Sequence, residues 1–324
     1  MNHSTTTLLC GLLFGTSLVG FGCEGSKDQT TTTTAASSGP PRIFAVNFPL
    51  QSFAQAIGGS KVAVESPILD GESSINFSPS PEQIIAIQDA TLILLNGADF
   101  ASWTANASLP ASRTVVTSEE FRAQWLESAH HHHDHDHQHG PDGDGVHHHA
   151  HWASHTWLDP NHAREQAIAI GAAMRGSLLA VDLQGMSGRM DGLLKQLGVL
   201  CDQAAKIRTL QIPPVIGSEP VYEYLAASCA LDMHEADWHW NEPQPHDGMD
   251  GLRKLIEATG ARHLLVPEAP TSERMEVLRG LGLEPVVIMP LADPPSLTST
   301  EPFTELMKQN LDRIEALSPD QPVQ

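Results

Sequence analysis

The chain has 324 residues, of which 40% are hydrophobic, so it is long enough for about two packed domains of ordinary size. Its 39 Asp and Glu residues outnumber its 18 Lys and Arg residues, which gives a net charge of -21 at pH 7. This charge argues against nucleic acid as a partner, because binding to nucleic acid requires basic surfaces that neutralise phosphates. It fits a protein that attracts cations, although charge alone is equally compatible with an ordinary acidic protein.

The first 22 residues have the features of an export signal. Residues 8–21 form an apolar run of about the length of a signal-peptide hydrophobic segment, which is too short to span a bilayer comfortably. The residues before this run contain no Lys or Arg, in contrast to most signals. The sequence GFGC ends at Cys23 and resembles the lipobox of bacterial lipoproteins, in which that Cys is lipidated after cleavage. We therefore expect a signal peptide at residues 1–22 and a lipid anchor on Cys23, with ordinary cleavage and a free periplasmic protein as the alternative.

Residues 23–41 begin with Cys23 and continue as EGSKDQTTTTTAASSGPP. This stretch is rich in Thr, Ser, Gly and Pro and offers almost nothing to bury in a core. We therefore expect a flexible tether between a membrane anchor and the folded part of the chain.

A first α/β lobe is predicted for residues 42–158. Residues 90–95 are continuously apolar, which is typical of a strand buried on both faces, and Ser80 before Pro81 is a favourable helix start. Strand and helix patterns alternate at short spacing, which favours a parallel sheet. The predicted strands are 42–48, 61–69, 90–95 and 114–117, and the predicted helices are 49–57 and 81–88.

This lobe also contains a His-rich loop at residues 129–151. Twelve of the chain's eighteen His residues lie between His130 and His155, with Asp residues interleaved. Neutral imidazole is the commonest side-chain ligand for zinc, copper and nickel. An affinity tag would sit at a terminus, and a merely solvated loop would not need so many His residues. We predict auxiliary metal ligands in the loop: His130, His131, His132, His133, His135, His137, His139, His147, His148, His149 and His151.

Residues 159–212 are predicted to form a long linking helix. Apolar residues recur at three- and four-residue spacing from Met186 to Ile207, which indicates one apolar face. Several Gly residues lower the helix propensity of the segment, so the pattern is also compatible with breaks.

A second α/β lobe is predicted for residues 213–324. Its predicted strands are 215–217, 263–267 and 285–289, and its predicted helices are 221–230, 252–259, 272–281 and 304–317. The fold expected for the whole chain is two α/β lobes with small, mainly parallel sheets, bridged by a long helix. In such a clamshell, ligands bind in the cleft at the carboxyl ends of the strands.

Two features of the second half leave alternatives open. Cys201 and Cys229 could form a disulfide in an oxidising compartment or remain buried thiols. A polar cluster at 233–247 includes His234 and His239, and Glu268 follows another predicted strand. We interpret the cluster as surface residues around two Trp residues, with convergence on the cleft as the alternative.

The chain resembles the zinc- and manganese-binding solute-binding proteins of bacterial metal ABC importers over most of residues 42–318. Four phrases carry the resemblance: SPSPEQIIAIQDATLILLNGADFASW at 78–103, HTWLDPNHA at 155–163, GSEPVYEYLA at 217–226, and a tail around MPLAD and FTELMKQN. A His-rich loop directly before the second phrase is typical of the zinc-importing branch. The resemblance implies a metal ion between the two lobes, with ligands from four motifs.

The resemblance implies three cleft ligands in this chain. They are His155, which precedes the TWLDP phrase, Glu219 in GSEPVYEYL and Asp293 in MPLADPP. Carboxylates are hard oxygen ligands and suit Zn2+ or Mn2+. The alternatives are that Glu219 stabilises a helix N-terminus and that Asp293 caps a turn.

The first motif of the family usually reads Pro-His-x-Phe-x-Pro-(Ser/Thr)-Pro, and this chain departs from it at residues 74–81, which read SINFSPSP. The usual His position is occupied by Ile75, which cannot bind a metal ion. Candidates for completing the site are Asp70, Glu72, Asn76 or a His from the His-rich loop. Otherwise the site is incomplete and metal affinity depends on the loop.

The implied function is a non-catalytic receptor in the periplasm or at the cell surface. This receptor, a monomer, would capture Zn2+, with Mn2+ as the alternative. It would deliver the ion to a membrane permease. A periplasmic metal buffer or chaperone without a permease is a second hypothesis. A metalloenzyme is only a remote third hypothesis, because the sequence has no H-E-x-x-H, G-x-S-x-G or Walker motif.

Overall fold

The computed structural model describes residues 39–67, 73–128, 151–178, 183–236, 248–296 and 298–319, and within them two four-stranded parallel sheets are formed. The first sheet has the order β2-β1-β3-β4: β1 (Arg42–Ala45), β2 (Ala63–Glu65), β3 (Leu92–Leu95) and β4 (Thr114–Val116). The second has the order β6-β5-β7-β8: β5 (Val215–Gly217), β6 (Met233–Glu235), β7 (His263–Val266) and β8 (Glu284–Val287). The predicted two-sheet α/β architecture is therefore confirmed.

Several of the helices that surround the sheets begin at residues whose side chains cap them. Asn47 accepts a hydrogen bond from the backbone of Leu50, Ser80 and Gln83 form a capping box, and Asp159 accepts from the backbone of Asn161. The α-helices of the described residues are α1 (Phe48–Gly58), α2 (Pro81–Gln88), α3 (Pro160–Ser177), α4 (Leu183–Ile207), α5 (Glu223–Cys229), α6 (Gly248–Thr259), α7 (Ser272–Leu281) and α8 (Phe303–Glu315). Within this described part, no helix combines the length and the apolar character needed to cross a membrane.

Helix α4 joins the two halves of the molecule. It packs against α1 and α3 on the side of the first sheet, and against α5 and α8 on the side of the second. Its apolar face is buried from Met186 to Ile207, as the three- and four-residue spacing predicts. One continuous hydrophobic core therefore extends from Ile43 in β1 through α4 to Val215 in β5.

Two elements differ from the expectation. The predicted helical stretch consists of two helices, because α3 ends at Ser177, directly after Gly176, and α4 begins at Leu183. The segment 233–235 was interpreted as part of a polar surface cluster, but it forms β6, which pairs with β5 at the edge of the second sheet. An edge strand is half solvated, so its sequence Met-His-Glu lacks the apolar run that marks a buried strand.

Candidate metal-binding site

The three predicted cleft ligands lie around one cavity of about 550 Å³. Glu219 follows β5 and Asp293 follows β8, so both come from the carboxyl edge of the second sheet. His155 lines the same cavity and lies directly before the short 3-10 helix Thr156–Leu158. The structure thus brings together residues 138 positions apart in the chain, counted from His155 to Asp293.

His155 is buried, with 3% of its surface exposed. Burial lowers the pKa of its imidazole to about 3, so the ring is neutral at pH 7 and keeps the lone pair that binds a metal ion. Its Nδ1 atom lies 3.1 Å from the hydroxyl of Ser154, and its ring contacts Trp157 and Phe100. Buried neutral imidazole at the wall of a cavity is a fitting nitrogen ligand for Zn2+.

The backbone around His155 is held by Asn96, which is completely buried at the end of β3. The Asn96 side-chain amide donates to the carbonyl of Ser154 at 3.0 Å and accepts from the hydroxyl of Thr156 at 3.1 Å. Gln166 on α3 donates to the same Asn96 oxygen at 2.9 Å. The residues on both sides of His155 are therefore fixed to the first sheet.

Asp293 is held by Ser73 and Ser74, where the first motif begins. Ser73 Oγ donates to Asp293 Oδ2 at 2.8 Å, and the Ser74 backbone N–H lies 3.0 Å from Oδ1. Asp293 therefore does more than cap a turn of its own loop, which was the alternative for this residue.

Glu219 lies four residues before α5, which begins at Glu223. The alternative for Glu219, stabilisation of a helix N-terminus, would therefore act from outside the first turn of that helix. Burial raises the pKa of the Tyr222 hydroxyl well above its usual value. The charge of nearby Glu219 raises this pKa further. That hydroxyl donates to the carbonyl of Ile288 at 2.9 Å, which ties the loop after β5 to the end of β8.

The cavity also contains residues that the sequence left undecided. Glu268, which follows β7, is exposed and lines it, as do Ile75 and Asn76 from the first motif. Asp70 and Glu72 lie outside the described residues. Among the residues that are described, no three His, Cys, Asp or Glu side chains are close enough together to hold one ion in this arrangement.

The residues on either side of the His-rich loop pair with each other. Glu127 and Trp152 form an isolated antiparallel bridge, and the backbone N–H of Ser128 donates to the carbonyl of His151 at 2.8 Å. The predicted loop ligands from His130 to His149 lie outside the described residues, whereas His151 is described and exposed. The ends of the loop are therefore adjacent, four residues before His155.

Other predicted residues have less to do with the cavity. His234 lies 3.1 Å from Asp232 through its Nε2 atom, and residues 237–247 are outside the described part. Cys201 and Cys229 are free thiols, so the disulfide alternative is not formed in the structure.

Glu223 was not anticipated: both carboxyl oxygens are buried without a partner from another described residue. Only its place within the apolar phrase PVYEYLA could have indicated it.

Comparison with known proteins gives one family and a set of similar folds. The family model for ZnuA, zinc-uptake complex component A periplasmic, matches residues 43–317. The metal-dependent lipoprotein YcdH from Bacillus subtilis has a similar structure, with a TM-score of 0.71 and 17% identity over 86% of this chain and 99% of that chain. Comparison with curated protein sequences gives no match.

Two streptococcal structures are also similar. The Zn(II)-bound ZnuA-like domain of AdcA from Streptococcus pneumoniae has a TM-score of 0.71 and 15% identity, over 87% of this chain and 100% of that chain. A mutant of the laminin-binding adhesin Lmb from Streptococcus agalactiae has a TM-score of 0.67 and 15% identity, over 86% and 100%. These likenesses agree with the fold, and the family match covers most of the chain. The chain belongs to the ZnuA family of periplasmic zinc-uptake components.

Proposed function

We propose that this chain captures Zn2+ in the cavity between its two sheets, through His155, Glu219 and Asp293, and releases it to a membrane permease. Family membership makes the chain a metal-binding receptor for ABC uptake outside the cytoplasm. The observation that supports the ligand set is the position of His155, which is buried, neutral and in one cavity with both carboxylates. The ion is cargo, so we propose that no reaction takes place.

The donor set fits Zn2+ and does not exclude Mn2+. Zinc accepts both imidazole nitrogen and carboxylate oxygen, whereas a set with more oxygen donors favours harder ions. The AdcA domain with a similar fold is Zn(II)-bound, which supports zinc as the cargo. Because the three side chains do not yet form a closed group, the ion itself would draw them together.

The rest of the chain serves capture and delivery in this proposal. The loop at 129–151 raises the local zinc concentration beside the cavity, since its two ends meet next to the segment that carries His155. Cys23 carries a lipid that keeps the receptor, as a monomer, at the membrane near its permease. A buffer without a permease is the second candidate, and it would bind zinc equally well without supporting uptake.

The experiment that tests the proposal is calorimetric titration of the full mature chain with Zn2+ and Mn2+. The test variant is His155→Ala/Glu219→Ala. The matched control is His263→Ala/Glu276→Ala. His263 is the first residue of β7, at the opposite end of the strand from the cavity, and Glu276 is exposed on α7.

The test variant is expected to lose one tight site and keep weaker ones, while the control keeps all of them. Unchanged tight binding in the test variant would mean that the cavity is disabled because Ile75 stands where the family has His. The tight zinc site would then lie in the His-rich loop. Zinc uptake into vesicles that contain the permease and its ATPase then separates the importer from the buffer, because only a receptor stimulates ATP-dependent uptake.

A further inference from the structure

The first motif of this chain lacks the family's His, yet the same segment contacts a predicted ligand directly. Ser73 Oγ donates to Asp293 Oδ2 at 2.8 Å across 220 positions of sequence. The backbone N–H of Ser74 is shared between Oδ1 at 3.0 Å and Oδ2 at 3.1 Å. Two donors from the first motif therefore fix the orientation of one carboxylate at the cavity.

The same segment and its neighbours also fix the backbone that carries Asp293. The carbonyl of Ala292 accepts from the Ser74 hydroxyl at 3.2 Å and from the backbone N–H of Phe48 at 2.9 Å. The indole of Trp157 donates to the carbonyl of Pro290 at 2.8 Å. The loop after β8 is thus attached to the half of the chain that contains His155.

The loop adopts a backbone conformation that needs such support. Leu291 has φ of +60° and is buried, with 2% of its surface exposed. A left-handed conformation is uncommon for Leu and persists where surrounding contacts over-determine it. The hydrogen bonds to Pro290, Ala292 and Asp293 flank this residue on both sides.

A carboxylate held in this way can still bind a metal ion. Its two oxygens offer about four acceptor positions, and two donors do not fill them. Hydrogen bonds to ligating carboxylates orient them, and their loss typically weakens metal binding by about 10- to 100-fold.

We propose that Ser73 and Ser74 are positioning residues for Asp293 and that they replace, in this chain, the imidazole absent at Ile75. This inference rests on the proposed function, because it requires that Asp293 binds the captured ion. The first motif then acts on the ion through Asp293, and the protein ligands are His155, Glu219 and Asp293.

The test is a double-mutant cycle in the full mature chain with Ser73→Ala, Asp293→Ala and the combined variant. Zn2+ affinity is measured in competition with a chelator, at free zinc low enough to leave weaker loop sites empty. Ser73→Thr keeps the hydroxyl and tests rescue. Ser102→Ala is the matched control, because Ser102 is an exposed Ser of the first lobe away from this cavity.

Ser73→Ala is expected to weaken zinc binding about tenfold, Ser73→Thr to restore it and Ser102→Ala to leave it unchanged. In the Asp293→Ala background, Ser73→Ala should have no further effect, because its target is gone. Equal losses in both backgrounds, or no loss from Ser73→Ala while Asp293→Ala binds weakly, would overturn this inference alone. Unchanged binding in Asp293→Ala would overturn the inference and remove Asp293 from the ligand set of the proposed function. Thermal denaturation of each variant confirms that a changed affinity comes from a folded protein.

Discussion

The hydroxyl of Thr156 donates a hydrogen bond of 3.1 Å to the side-chain oxygen of Asn96, inside the protein and directly after His155. The nitrogen of the same amide donates to the carbonyl of Ser154, directly before His155. One buried side chain therefore determines where the backbone of His155 lies.

Replacement of Asn96 is expected to reduce both stability and metal affinity. Asn96→Ala leaves the Ser154 carbonyl and the Thr156 hydroxyl without a partner, which should lower the free energy of unfolding by roughly 2–4 kcal/mol. Zinc affinity should fall about tenfold, since the backbone of His155 is no longer fixed. Urea unfolding and chelator competition measure the two effects. Asn106→Ala, at an exposed position, is the control and should change neither quantity. Unchanged zinc affinity in Asn96→Ala would contradict the role of Asn96 in positioning His155.

Gly97, which follows Asn96, is expected to tolerate no side chain. Its φ is +83°, and a Cβ atom would overlap the Ser118 hydroxyl and lie 2.8 Å from a methyl group of Val116. Gly97→Ala should therefore lower the free energy of unfolding by about 2 kcal/mol or more. Gly192→Ala is the matched comparison, because Gly192 lies in the middle of α4 and has open space around it. That variant should gain about 0.5–1 kcal/mol, and equal effects at the two positions would refute the steric argument.

Stability should depend on pH through Glu223. Burial, with a contribution from Glu235, raises the pKa of its carboxyl from 4.5 to about 7 in the folded protein. Between these values the folded state binds the proton more strongly than the unfolded state, so stability falls as the pH rises from 4.5 to about 7. The full cost, roughly 3 kcal/mol at most, is then present above pH 7.

The variant Glu223→Gln removes this cost because its side chain does not ionise. It should be more stable than the parent at pH 8 and similar to it near pH 4.5, as measured by urea unfolding at both pH values. Glu276→Gln, at an exposed position on α7, is the control and should follow the parent at both. A constant difference between Glu223→Gln and the parent at the two pH values would show that ionisation of Glu223 is not the cause.

Removal of the His-rich loop should lower the zinc stoichiometry and leave one tighter site. The bridge between Glu127 and Trp152 allows residues 129–150 to be replaced by two Gly residues, because Ser128 and His151 already lie side by side. A second variant keeps the length of the loop and replaces the ten His residues between His130 and His149 by Ser, which separates loss of imidazoles from loss of the loop. Calorimetric titration that shows complete loss of zinc binding in either variant would contradict the cavity model.

The sequence predicts those parts of the fold that depend on local signals. Helix α2 begins and ends at the predicted residues because Ser80 and Pro81 define its start. Helix α7 is predicted equally well, with Thr271 as its cap and Gly282 after its last turn. Strand β6 was missed, because its pairing with β5 comes from the sheet and not from its own sequence.

The site shows the same division. His155, Glu219 and Asp293 were found through motifs, and the structure brings them to one cavity. Asn96 has no signal in the sequence beyond its place before Gly97, because its side-chain contacts at the site lie 58 to 70 positions away. Contacts of this kind leave no local pattern, so their role became visible only in the fold.

The core that α4 shares between the two sheets has a consequence for recognition by the permease. Two lobes that share a hydrophobic core along α4 have little freedom to swing apart, since separation would expose the buried face of α4 to water. A loaded receptor would then differ from an empty one mainly in the loops at the cavity rim. The permease would have to distinguish the two states by reading that rim at close range, because the outline of the receptor would be nearly the same in both.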